Sequence, residues 1–158
     1  MATTRVTRTI RATPDAVYRA LIDPQAVQTW MVPDGMTSSV ERFEAEVGGT
    51  FRISLTYDAP TTAGKSDAQT DTFEGRFVEL VPGRRVVQVV AFETEDRSTQ
   101  GEMTITYTLQ ATDDGTELVG LHEDLPPGVS AKDNELGWNM SLDKLASLLE
   151  RGDGPARV

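Results

Sequence analysis

The sequence contains no cysteine, which excludes disulfides and thiolate metal sites outright. Histidine occurs once, as His122. Catalytic zinc centres generally draw two or three nitrogen or sulfur ligands, so one imidazole among carboxylates is a poor metal set, and none is expected. There is no Gly-x-Ser-x-Gly elbow, and the serines fall in polar loops or on the outer side of the last helical segment, which argues against a serine triad. No apolar run approaches the roughly 20 residues that span a bilayer. Met1 to Arg11 alternates polar and apolar residues without the apolar block of a signal peptide, so the expected location is the cytoplasm. Positive charge is also scarce: 15 basic against 25 acidic residues give a net charge of −10. That balance repels phosphate backbones and anionic lipid surfaces, so neither nucleic acid nor membrane is an expected partner.

What is present reads as a globular chain. It has 158 residues, 38% hydrophobic and 25% charged, enough for one core. We expect a single domain over residues 1–152, with 153–158 a frayed tail, and find no internal repeat or linker. Thr4 to Ile10 alternates β-branched and polar residues as a strand does. Thr13-Pro14-Asp15 is a helix start, with Val17, Ala20 and Leu21 at helical spacing. Asp23-Pro24 ends that helix and begins a second short one that runs to Trp30. Val32-Pro33-Asp34-Gly35 is a turn.

Period-two patterning then dominates. Expected strands are Thr37–Val47, Thr50–Tyr57, Thr72–Leu80, Arg85–Glu93, Gln100–Ala111 and Thr116–Glu123. They are separated by Gly48-Gly49, a polar loop from Asp58 to Asp71 expected to be exposed and mobile, Pro82-Gly83, Glu95-Asp96-Arg97 and Asp113-Asp114-Gly115. Short links imply antiparallel hairpins, and Asp113-Asp114-Gly115 is such a turn rather than a calcium loop. After Leu125-Pro126-Pro127-Gly128 a long helix follows. Trp138, Leu142, Leu145 and Leu149 share one face of it. Arg151-Gly152-Asp153-Gly154-Pro155 ends it, and the adhesion-like tripeptide within is read as chance.

A strand, two short helices, about six strands and a long helix make an α+β, helix-grip arrangement. A long antiparallel meander twists and curls, and an apolar helix of about four turns fits its hollow. A cavity between helix and sheet is natural in that geometry.

The residues also resemble a known group. Thr13-Pro14-Asp15-Ala16-Val17-Tyr18-Arg19-Ala20-Leu21, Asp23-Pro24, Trp30, Val47-Gly48-Gly49-Thr50-Phe51 and Gly75-Arg76-Phe77-Val78-Glu79-Leu80-Val81-Pro82-Gly83-Arg84-Arg85-Val86 carry the likeness. Gly115-Thr116-Glu117-Leu118, Leu121-His122-Glu123 and Gly137-Trp138 extend it. The chain, from about Val6 to Glu150, resembles the START and birch-pollen-allergen-like (SRPBCC) superfamily, and within it bacterial proteins similar to the activator of the heat-shock-protein-90 ATPase. The resemblance implies a curved sheet of six or seven strands around a C-terminal helix, a hydrophobic cavity, no obligatory cofactor and no catalytic residues common to the group. Lipid carriers, receptors, cyclases and co-chaperones share the fold, so the fold does not choose among them.

Candidate cavity residues are Trp30, Phe51, Tyr57, Phe73, Phe77, Phe92, Met103, Tyr107, His122, Trp138 and Leu142. Only one parity of each strand faces the hollow, so some of the strand residues should point outward. His122, at the end of the last strand, sits where the resemblance places a histidine at the cavity rim. It serves there as a polar anchor or general acid/base, or, as the favoured reading, as a structural residue bonded to backbone near Asp124 or the helix start. Trp138, taken as opening the long helix, is favoured as a core plug, and Trp30 is read equally as core or pocket wall. Arg52 and Arg76, of opposite parity to their aromatic neighbours, belong on the solvated convex face unless turned inward as anchors for an anionic ligand.

The leading expectation is a non-catalytic carrier for a small apolar or amphipathic molecule. The alternatives are a cyclase- or dehydratase-like enzyme using His122 with Tyr107 or a glutamate, and a module that stimulates a chaperone ATPase. The strand Thr4–Ile10, if at an edge, can pair across a two-fold as a homodimer, although Arg5 and Arg8 are the kind of edge charge that prevents it.

Overall fold

The computed structural model describes residues 2–58 and 70–150. Strand β1 (Ala2–Ile10) leads into helices α1 (Pro14–Ile22) and α2 (Pro24–Trp30). Strands β2 (Met36–Phe43), β3 (Thr50–Tyr57), β4 (Thr70–Val81), β5 (Arg85–Phe92), β6 (Met103–Thr112) and β7 (Gly115–Leu125) follow, then helix α3 (Ala131–Glu150). The strands form one antiparallel sheet in the order β1-β7-β6-β5-β4-β3-β2. Each hairpin neighbour is adjacent in the sheet, and β1 closes the series beside β7. This is the helix-grip architecture expected from the patterning.

The two short helices start as their sequences dictate. The Thr13 side chain accepts from Ala16 N at 3.1 Å and the Asp23 carboxylate from Ala26 N at 2.8 Å, each with proline in the first turn. Their apolar faces, Val17, Ala20, Leu21 and Val27, enter the same core as the sheet. The half of α3 near its C-terminus completes that core through Leu142, Leu145, Ala146, Leu148 and Leu149. Each buried leucine contributes about 1.5–3 kcal/mol. Polar ties fix α3 along β1: Thr4 Oγ1 donates to Ala131 O at 3.2 Å, Arg8 pairs with Asp143 at 2.6 Å, and Arg11 N donates to Glu150 Oε2 at 3.0 Å.

Beyond shifts of one or two residues at other strand ends, four departures from the sequence reading have a visible cause. β2 stops at Phe43 instead of reaching Val47, because the Glu44 carboxylate accepts from both Thr50 N (2.9 Å) and Thr50 Oγ1 (2.7 Å) and folds the chain into a turn. β6 begins at Met103, not Gln100, because Asp96 caps a 3-10 turn over Arg97–Thr99. Asp71 is a buried residue of β4, not part of an exposed loop, since β4 already pairs with β3 at Thr70. Trp138 lies about two turns inside α3 rather than at its start, because the Ser130 hydroxyl caps Asp133 N and the helix begins at Ala131. The remainder of the polar loop, 59–69, and the tail, 153–158, lie outside the described residues.

Parity is not constant along β4. The ladder with β5 shifts between Phe77 and Glu79, so Phe77 and Leu80 both lie toward the core while Val78 points out, 46% exposed. None of the strand aromatics singled out from the sequence faces the convex side: Phe51, Phe77 and Tyr107 are buried, and Tyr57, Phe73 and Phe92 face the hollow. The expectation that some would point outward fails because each strand's aromatics happen to share one parity. The opposite parity is charged. Arg52 donates to Glu93 (2.7 and 2.8 Å) and Glu41 (2.5 Å), and Arg76 to Glu102 (2.9 Å). Both arginines belong to the outer face. The pairing holds Arg52 well above its ordinary range, chiefly through the Glu93 hydrogen bond, and holds Glu93 below the usual carboxylate range, chiefly through Arg52.

Candidate functional site: the space beneath the helix

The two halves of α3 behave differently. Beyond Ser141 the helix is sealed against the sheet, α1 and α2. Before it, Asn134, Leu136, Trp138 and Met140 stand over a space of about 870 Å³. Its sheet wall comes from Leu55, Tyr57, Phe73, Val90, Phe92, Met103 and Ile105, with Met31, Pro33 and Met36 along one side. The volume lies within the usual range for small-molecule sites, roughly 300–1,000 Å³, and the lining has the expected apolar majority.

Two glycines let bulky rings approach the sheet. A Cβ on Gly120 would lie 2.7 Å from the Trp138 ring, so β7 must be bare there for the indole to seat on it. Gly75 performs the same service beneath Phe51. Trp138 in turn meets Tyr107 edge-on at 5.8 Å between centroids and His122 at 5.6 Å. It is a partly buried wall of the space that also packs on the core.

His122 is positioned by register. It pairs with Ile105 across β6, which pairs with Gln88 across β5, and with Thr4 on β1. Directly opposed residues share a face, so Gln88, Ile105 and His122 form one row on the concave side, and all three line the space. The imidazole Nδ1 lies 3.0 Å from the Asn134 amide nitrogen in the first turn of α3. Of the two expected places for a structural partner, near Asp124 or at the helix start, the bond is at the helix start, made by a side-chain amide instead of backbone. The other ring nitrogen, Nε2, is buried without a partner among the described residues. Burial pushes the His122 pKa down to about 4, so the ring is neutral near pH 7. Burial likewise raises the Tyr107 hydroxyl, which keeps its proton at any physiological pH.

The other predicted residues divide cleanly. Tyr57, Phe73, Phe92, Met103, Tyr107, His122 and Trp138 come together around the space. Trp30, Phe51, Phe77 and Leu142 do not. Trp30 is 0% exposed and its indole N–H donates to Ala20 O at 2.9 Å. It is a core residue because α2 folds back on α1 and carries the ring beneath Tyr107. Phe51 and Phe77 belong to an aromatic cluster with Phe43 at the far end of the sheet interior. Sequence reasoning missed Gln88, Asn134, Ile105 and Ser141. Gln88 had a legible signal: one amide interrupting the apolar series Val86, Val90 and Phe92 at the inward parity of β5.

No carboxylate or hydroxyl reaches hydrogen-bond distance of His122 among the described residues, whose one contact of this kind is Asn134. The arrangement offers neutral hydrogen-bonding groups at the floor of an apolar chamber. No helix among the described residues is long and apolar enough to cross a membrane.

The comparisons with known proteins agree with this architecture. No curated protein matches the sequence at a significant level. Among solved structures, a protein from Chromobacterium violaceum is 34% identical, with a TM-score of 0.85 over 94% of this chain and 96% of its own. One from Rhodobacter sphaeroides is 22% identical, with a TM-score of 0.77 over 94% and 92%. An AHSA1-like protein from Aeromonas hydrophila is 16% identical, with a TM-score of 0.72 over 99% and 98%. The model of the family described as activator of Hsp90 ATPase homolog 1-like protein matches residues 11–150. The chain belongs to that family, a branch of the SRPBCC superfamily.

Proposed function

We propose that this protein is a non-catalytic binding domain for a small apolar or amphipathic molecule, held between the concave sheet and the first half of α3. The observation that carries the reading is the space of about 870 Å³ that stays unfilled although α3 is fully packed further along. Interiors are ordinarily close-packed, and unfilled apolar space forfeits dispersion contacts. A largely apolar space of this size leaves hydrophobic surface that an occupant would cover. Family membership supports the reading at the level of a ligand-binding fold.

Binding fits the floor better than catalysis does. A general base needs a pKa near the working pH and a group that orients it. His122 is pushed down to about 4 and is held by an amide instead of a carboxylate. Native mass spectrometry of protein purified from cell extract without denaturation tests the proposal. The expected result is a reproducible mass excess that disappears after organic extraction. A chamber that is always empty, in protein from several growth conditions, contradicts it.

A further inference from the structure

The polar groups of the chamber and the sign of its charges say what kind of molecule fits. Given that the chamber is a ligand site, we propose that it selects uncharged amphiphiles, an apolar body bearing a hydroxyl or carbonyl group, over carboxylates of the same size.

Two groups carry the positive half of the selection. Gln88 is 2% exposed and lines the chamber, so its amide stands at an apolar wall with little access to bulk water. A polar group so placed is well suited to hydrogen-bond an occupant. His122 supplies the second group. With the Asn134 amide donating to Nδ1, the ring proton sits on Nε2, so the buried Nε2 is a donor without an acceptor among the described residues. His122 and Gln88, one a donor and the other an amide that both donates and accepts, line the same apolar space from the same row of the sheet. A hydroxyl or a carbonyl satisfies either.

The negative half comes from charge. Every ionisable carboxylate or ammonium side chain that lines the chamber among the described residues is acidic: Asp34, Asp71, Asp96 and Asp133. Neither lysine nor arginine is among them. Lys144, further along α3, is held by Val32 O at 2.6 Å and Asp34 at 3.1 Å. The arginines of β3 and β4 point to the convex face and are paired there. An entering carboxylate would lose its hydration, find no lysine or arginine among the described lining residues and meet the carboxylates of Asp96 and Asp133, whereas a hydroxyl loses far less.

The experiment is a displacement titration at pH 7.5. N-phenyl-1-naphthylamine, an uncharged fluorophore, reports occupancy. It is then displaced by 2-naphthylmethanol, 2-naphthoate and 2-naphthylmethylammonium, three probes with one ring system and three charges. The alcohol is expected to bind about tenfold tighter than the carboxylate or more. In Gln88→Leu the alcohol is expected to weaken by about fivefold, while thermal stability does not fall, because the variant replaces an amide at an apolar wall with an apolar side chain. Absence of fluorophore binding would overturn the ligand-site reading and the selection with it. Fluorophore binding with the carboxylate as tight as the alcohol would overturn the selection alone. Full retention of alcohol affinity in both Gln88→Leu and His122→Phe would also overturn it.

Discussion

His122 offers a sharp test because it is the only histidine in the chain. Its folded pKa is pushed down to about 4 from the ordinary 6.5, and the cause is burial. The unfolded chain therefore takes up a proton first as the pH falls. Stability is unaffected above about pH 6.5, drops as the pH falls from there toward 4, and then carries a constant deficit from this group. At pH 5 the unfolded imidazole is nearly all protonated and the folded one nearly all neutral. The deficit there is about 2 kcal/mol, from the 1.36 kcal/mol that each unit of separation represents. For a chain of this size that is a fall of about 4–8 °C in Tm. Carboxylates and the easing of net negative charge also act between pH 7.5 and 5. Comparison with His122→Gln, which cannot titrate, cancels them. The expected outcome is that wild type loses about 2 kcal/mol more than the variant between pH 7.5 and 5, measured by urea unfolding. NMR of the two C–H signals of the single imidazole supplies the direct check. An imidazole that titrates near 6.5 in the folded protein, with no stability difference between the two proteins, refutes the assignment of His122 as a buried neutral group.

Three further outcomes follow from the packing. Gly120→Ala places a Cβ 2.7 Å from the Trp138 ring. It should cost about 1–3 kcal/mol and alter the tryptophan emission, and an unchanged spectrum and Tm would contradict the seating of Trp138 on β7. Leu142→Ala opens the sealed half of the grip and should cost about 2–5 kcal/mol in chemical unfolding. Thr13→Ala removes the cap that accepts from Ala16 N at 3.1 Å and should cost about 1 kcal/mol, while fluorophore affinity is unchanged because α1 does not line the chamber.

The parts of the fold that could be read from sequence were those governed by local chemistry. Thr13-Pro14 and Asp23-Pro24 state their helix starts in residue types with one physical use, and α1 and α2 begin there. The alternation of Phe51, Ile53, Leu55 and Tyr57 specifies a strand over Thr50–Tyr57, which is where β3 lies. Boundaries set by side chains reaching across turns were not legible. Nothing in the order Glu44 to Thr50 announces that one carboxylate takes both the amide and the hydroxyl of Thr50 and ends β2 early. The site was legible in composition more than in placement. The strand aromatics were legible as candidates, but their parity was not, and which of them meet open space depends on where α3 lifts from the sheet. Trp30 and Trp138 have the same chemistry, and only tertiary packing makes the first a sealed core residue and the second a wall. Gln88 is the converse case, a polar residue whose meaning appears only when β5, β6 and β7 are brought into register.

The central claim is that an occupant sits beneath the first half of α3. Intermolecular nuclear Overhauser effects between N-phenyl-1-naphthylamine and isotope-labelled protein test it most directly. The account predicts contacts from the ligand to the methyl groups of Met103 and Ile105 and to the Trp138 ring, all of which line the chamber. Contacts confined to outward-facing apolar residues such as Val47 and Val78, which are 64% and 46% exposed, would contradict it.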